Sequence, residues 1–138
     1  MGGYSVYLVE GEYTRSGIGN DLYKNAASVY RIICPATDAY EKYNEILQTA
    51  CSLIPHRDDV VVLCLLGPTA TVLAYDLHKA GYWALDMGHI DIEYEWFLRG
   101  TAWKASVPGK AVNERGGNHP DKPISSPEYE EQIIAKVL

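Results

Sequence analysis

At 138 residues, with 47% hydrophobic side chains and a formal charge of −6, the chain has the size and composition of one folded domain with a real core. That composition argues against disorder, and the acidic balance argues against general nucleic-acid binding, which needs basic surface to meet phosphates. No apolar run approaches the ~20 residues of a membrane span, and no basic segment followed by a long apolar one opens the chain, so a cytoplasmic location is expected.

In chain order, residues 5–9 (Ser-Val-Tyr-Leu-Val) read as a short β-strand leading into Glu10-Gly11-Glu12. A polar, glycine-bearing loop follows, and Asn20 or Asp21 can cap a short helix over 22–27. Residues 29–34 form the next strand, stopped by Pro35. Thr37 or Asp38 opens a helix to about residue 53, with Ala39, Tyr43, Ile46, Leu47 and Ala50 at helical spacing. Residues 60–66 (Val-Val-Val-Leu-Cys-Leu-Leu) are the clearest strand. They do not alternate, which predicts a central parallel strand buried on both faces. Gly67-Pro68-Thr69 turns into a helix over 70–80 that Gly81 ends, and 83–86 is a further short strand. Alternating strands and helices predict an α/β, Rossmann-like, mostly parallel sheet flanked by helices. Residues 107–127 lack periodicity and read as a loop or lid, and the spacing of Tyr129, Ile133, Ile134 and Val137 predicts a last helix over 127–137.

Cys34, Cys51 and Cys64 are an odd number at wide spacing with no Cys-x-x-Cys pair, so zinc and redox chemistry are poorly supported. Cys34 and Cys64 fall in expected strands and read as small buried hydrophobes. Tyrosine is frequent, at 11 against one phenylalanine, which suits sugar sites and interfaces.

In an open parallel sheet, ligands bind beyond the carboxyl ends of the strands. Three segments are expected there. The loop after the first strand carries Glu12, Arg15, Gly17, Gly19, Asn20 and Asp21, and Arg15 can pair bidentately with a phosphate. The turn Gly67-Pro68-Thr69 opens a helix whose free N–H groups suit an anion, though a plain strand-to-helix turn reads the same. The third, after Asp86, holds His89, Asp91, Glu93, Glu95, Trp96 and Phe97. If extended, Asp91 and Glu93 point to one face and can grip one hard cation; equally, Asp91 can cap a helix with Glu93 and Glu95 favouring its positive end. His89 fits a metal- or substrate-assisting role or a structural one, and the two rings fit the core or a sugar platform.

Several ordered blocks together resemble one family. Glu10-Gly-Glu-x-x-Arg15-x-Gly17-x-Gly19-Asn20-Asp21-Leu22, Arg31-Ile-Ile-Cys-Pro35, Leu66-Gly-Pro-Thr-Ala70 and Leu85-Asp-x-Gly88-His89-Ile-Asp91-Ile-Glu93-Tyr94-Glu95-Trp96 are similar to the GT-D-type bacterial glycosyltransferases. The resemblance implies a Rossmann-like fold and sugar transfer from a nucleotide donor such as UDP-glucose to a glycan or glycoprotein acceptor. It places the family's Asp-x-Glu motif on Asp91 and Glu93, holding manganese or magnesium against the diphosphate, with His89 and Glu95 as orienting candidates. Family members are usually longer, so this chain resembles a C-terminal portion over residues 1–138. A non-catalytic nucleotide-sugar-binding or assembly module of the same fold is the alternative, and a Rossmann-like methyltransferase the more distant one. Tyrosine richness and the absent first half together predict a homo-oligomer.

Overall fold

The computed structural model describes residues 3–18, 21–88 and 127–138. Its five strands are β1 (Ser5–Gly11), β2 (Ser28–Cys34), β3 (Val60–Leu65), β4 (Ala84–Asp86) and β5 (Ile133–Lys136). They form one sheet in the order β4-β3-β1-β2-β5, and every neighbouring pair is parallel. The helices described are α1 (Tyr43–Leu53), α2 (Pro68–Lys79) and the short α3 (Pro127–Gln132). None is long and apolar enough to cross a membrane.

The order explains which face each helix covers. From β2 the chain steps back over β1 to β3, and from β3 it steps the same way to β4. Two right-handed crossovers in one direction must lie on one face. Accordingly Ile46 and Ala50 of α1, and Ala70, Leu73 and Leu77 of α2, share a cluster with Val9, Ile32, Val60, Val62 and Cys64. The β1-to-β2 step runs the other way, and its connection contributes Tyr23 and Ala26 to the opposite face, against Val6, Leu8, Val61, Leu63 and Leu65. With both faces covered, β3 is buried along its whole length, as its unbroken apolar run requires. It lies inside the sheet between β1 and β4, while β1 takes the centre.

Three local expectations are corrected. Residues 22–27 form single turns and no helix: Lys24 N–H bonds Asp21 O and Ala26 N–H bonds Tyr23 O, and the pattern stops there. The Ala27 N–H, which would continue a helix by bonding Tyr23 O, bonds Tyr4 O instead, at 2.8 Å. The helix after Asp38 begins as a 3-10 turn (Ala39–Lys42) before α1. The last expected helix ends at Gln132, and Ile133–Lys136 pair with β2. There the β-branched Ile133 and Ile134 satisfy the outer edge of β2, whose backbone groups a continued helix would leave unpaired.

Cys34 and Cys64 lie buried in β2 and β3, and burial pushes both thiols up to about 12, with Glu10 adding to the first and Asp86 to the second. Cys51 is exposed. Alkylation of the folded protein at pH 8 should therefore label Cys51, with Cys34 and Cys64 reacting only on unfolding; rapid labelling of all three thiols would contradict this burial. Packing gives a second test. Leu73 is fully buried between α2 and the sheet, whereas its neighbour Val72 is 41% exposed. In urea titrations Leu73→Ala should lose about 2–5 kcal/mol of stability and Val72→Ala no more than about 0.5.

Candidate functional site

β1 and β3 are adjacent, yet the connections leaving them run to opposite sides of the sheet. The carboxyl ends of these two strands therefore border a crevice where the strand order reverses, the usual ligand position of an open parallel sheet. The loop after β1 and the turn after β3 stand on either side of it.

The turn is built by Gly67 and Pro68. Gly67 has φ 57° and ψ −137°, a conformation that L side chains rarely adopt, although nothing would crowd a Cβ there. Pro68 then occupies the first turn of α2, where its missing N–H costs nothing. Pro68 is exposed and Thr69 is buried. One turn further, the Thr71 hydroxyl donates to Asp86 Oδ2 at 2.7 Å, while Asp86 Oδ1 accepts the Gly88 N–H at 3.2 Å. Asp86 thus ties the start of α2 to the chain leaving β4.

The loop after β1 is held from beneath by a charged pair in the protein interior. Val6, Leu8 and Glu10 share one face of β1, so Glu10 continues an apolar row and is fully buried. Arg31 of β2, opposite Leu8, is 1% exposed. Arg31 Nη1 donates to Glu10 Oε1 at 2.5 Å, and the Ser16 N–H donates to Glu10 Oε2 at 3.0 Å. Arg31 Nε reaches Gln132 Oε1 at 2.7 Å, beside β5. The Tyr129 ring of α3 lies 5.3 Å from the Arg31 guanidinium and 5.5 Å from that of Arg15, within cation–π range of both. Burial, with Glu10 adding to it, pushes the Tyr129 phenol up to about 12 against the opposing pull of the two arginines. It therefore stays a neutral donor, 3.4 Å from the Glu12 carbonyl.

The loop backbone is unusual. Arg15 has φ 44° and Gly17 φ 80°. At Gly17 a Cβ would lie 2.4 Å from Cδ2 of Tyr23, whose hydroxyl is 2.7 Å from Ser16 Oγ. Only glycine fits both that φ and that contact.

Of the expected site residues, Glu12, Arg15 and Gly17 fall on this loop, half-buried, and Gly67, Pro68 and Thr69 on the turn across the crevice. Asp21 is exposed beyond the loop, 3.7 Å from Lys24 Nζ. Gly19, Asn20, His89, Asp91, Glu93 and Glu95, with most of the lid at 107–127, lie outside the described residues. Among the described residues no three His, Cys, Asp or Glu side chains group as metal ligands do. Glu10, Arg31, Asp86, Tyr129 and Gln132 were not singled out as site residues from sequence. The only signal was a Glu and an Arg set in otherwise apolar strands.

The fold is that of a Rossmann-like α/β protein with a parallel sheet flanked by helices. A model of the family described as glycosyltransferase GT-D fold matches residues 3–115, and the chain belongs to that family. It is 44% identical over 130 residues to a probable glycosyl transferase of Streptococcus gordonii and 40% identical over 131 residues to the glycosyltransferase GlyD of Streptococcus pneumoniae. These alignments take in 94% and 95% of this chain but 19% and 16% of those proteins. Among solved structures, one described as a new glycosyltransferase (DUF1792) from Streptococcus sanguinis superposes with a TM-score of 0.92 at 41% identity, over 99% of this chain and 50% of that one. Another, described as a domain of unknown function 1792 with a distinct glycosyltransferase fold, gives 0.90 at 40% identity over 99% and 48%. The chain thus spans about half of these solved chains and under a fifth of the curated relatives.

The buried pair yields a prediction. Arg31→Met strands the Glu10 carboxylate in the interior and should cost about 3–5 kcal/mol in chemical denaturation. The double change Glu10→Met with Arg31→Met should recover a large part of that loss, because neither charge is then left alone. A double variant no more stable than the single one would refute the pairing as the source of the cost.

Proposed function

We propose that this chain carries the donor site of a metal-dependent glycosyltransferase, which moves a sugar from a UDP-sugar, UDP-glucose-like, donor to a glycan or glycoprotein acceptor. The observation that carries the reading is the reversal of strand order between β1 and β3, flanked by a glycine-bearing loop and a glycine-proline turn in a chain of the GT-D family. In this reading Gly17, Gly19 and Asn20 let the loop backbone approach the nucleotide, with Glu12 and Asp21 at its ends, and Arg15 meets the diphosphate. The turn at Gly67, Pro68 and Thr69 offers backbone N–H groups at the start of α2 to the same anion.

The described chain reaches Gly88 at the carboxyl edge, and His89, Asp91 and Glu93 follow directly in sequence. Two carboxylates make an all-oxygen donor set, which manganese and magnesium accept, and Asp91 and Glu93 are the residues proposed to hold the ion. When bound, such a cation neutralises charge on a departing diphosphate. His89 and Glu95 are proposed to orient donor or acceptor. The net charge of −6 agrees with a carbohydrate rather than a nucleic-acid acceptor.

Calorimetry with UDP tests the metal and the ligands together. UDP should bind at least about tenfold more tightly with manganese than with chelator, and Asp91→Asn or Glu93→Gln should abolish that gain. Asparagine remains a good helix N-cap, so a mere capping role for Asp91 would survive the first change. Variants that keep the full manganese effect would remove these residues as ligands. Release of glucose from UDP-glucose in the same samples separates an enzyme from a binding module.

A further inference from the structure

We infer that the C-terminal unit, residues 127–138, positions the loop at 12–18, with Tyr129 and Gln132 as the positioning residues. This rests on reading that loop as part of the nucleotide site. The loop has no regular hydrogen-bond ladder of its own, and it contains two residues with positive φ, Arg15 and Gly17. Backbone in such conformations persists only where its surroundings hold it.

The C-terminal unit supplies part of those surroundings, beside Glu10 and Tyr23. Tyr129 touches the loop at its start and middle, through the hydroxyl at the Glu12 carbonyl and the ring beneath Arg15. At the loop's far end Ile18 packs with Tyr129, Ile33 and Ile133. Gln132 acts one step away. It fixes Arg31, which holds Glu10, and Glu10 in turn accepts the Ser16 N–H. The family match ends at residue 115, so Tyr129 and Gln132 lie beyond the stretch that the family description covers. A loop held in place before the ligand arrives loses less freedom on binding, and affinity gains accordingly. Tyr129 meets Arg15 and the Glu12 carbonyl and is not itself among the residues proposed to bind the nucleotide, so the effect inferred for it is on positioning.

Hydrogen exchange and UDP calorimetry on the full chain test this together. Tyr129→Leu removes the ring and should speed exchange of the Ser16 amide while amides of β1 and β3 keep their protection. UDP affinity should fall roughly tenfold, the scale of a lost cation–π anchor. Tyr129→Phe keeps the ring and should restore most of that affinity, and Tyr75→Leu on the exposed side of α2 serves as the unaffected control. Parental exchange at Ser16 and parental affinity in Tyr129→Leu would overturn the inference. So would a Tyr129→Phe loss as large as that of Leu, or a loss of protection throughout β1 and β3. Should Tyr129→Leu not fold, the parent decides: coupling is reciprocal, so UDP should slow exchange in residues 127–132, and no slowing overturns the inference. A parent that binds no UDP at all sinks the nucleotide reading instead, and the Ser16 exchange then still judges whether Tyr129 positions the loop.

Discussion

The contact between Glu10 and Arg31 is the constraint on which the carboxyl edge depends. Both side chains sit in strand positions whose neighbours are apolar, and both are removed from water. Such a pair is costly to desolvate, and it persists only where its remaining donors and acceptors are also matched. Here the partners come from one group near in sequence and one far from it. The second carboxylate oxygen takes a backbone N–H from the following loop, and the guanidinium reaches Gln132, 101 residues away. One buried pair therefore joins β1, β2, the loop after β1 and the C-terminal unit at a single point.

The two faces of the sheet are held in different ways. Against α1 and α2 the contacts are almost wholly apolar, and helix meets helix through Tyr43, whose hydroxyl is shared between the Val72 carbonyl and Asp76. That face needs area and close packing. On the other face, next to the crevice, the Glu10–Arg31 network adds directional bonds to a smaller apolar cluster. Area alone holds a loop against a sheet without fixing which atom lies where. A carboxylate that accepts one guanidinium N–H and one backbone N–H fixes both, which a ligand-facing loop requires.

Legibility in the sequence followed the range of the forces involved. β1, β2, β3 and α2 were readable because a strand covered on both faces is apolar without alternation, and because Pro68 and Gly81 mark helix ends. β5 was not. Ile133, Ile134 and Val137 fit a helical stripe as well as a strand, and the decision came from the open edge of β2, which no local pattern announces. The loop after β1 and the turn after β3 were expected at the carboxyl ends of their strands, and the parallel sheet puts both there. The buried pair was missed because a glutamate at the end of one strand and an arginine in the next are ordinary surface residues until the register sets them on one face. Asp91 and Glu93 stood out through spacing and family resemblance, and they lie outside the described residues.

The loop after β1 brings these threads together. Arg15 and Gly17 hold backbone angles that a free chain would seldom visit, and at Gly17 the neighbouring Tyr23 ring leaves no room for any side chain. Each local preference therefore favours a different loop shape, and the observed one exists because contacts from β1, β2 and α3 outweigh those preferences. Departures of this kind concentrate where a fold serves a ligand rather than its own stability. Several departures among the described residues lie on β1, on β2 and on the segments that follow β1 and β3: Glu10 and Arg31 in an apolar face, Arg15 in the left-handed region, Gly67 in a conformation few residues share. The helix-covered face has departures as well, at Asp38 before α1 and at Gly81 after α2. Arg15 and Gly67 stand on the segments that leave β1 and β3, either side of the point where the strand order reverses.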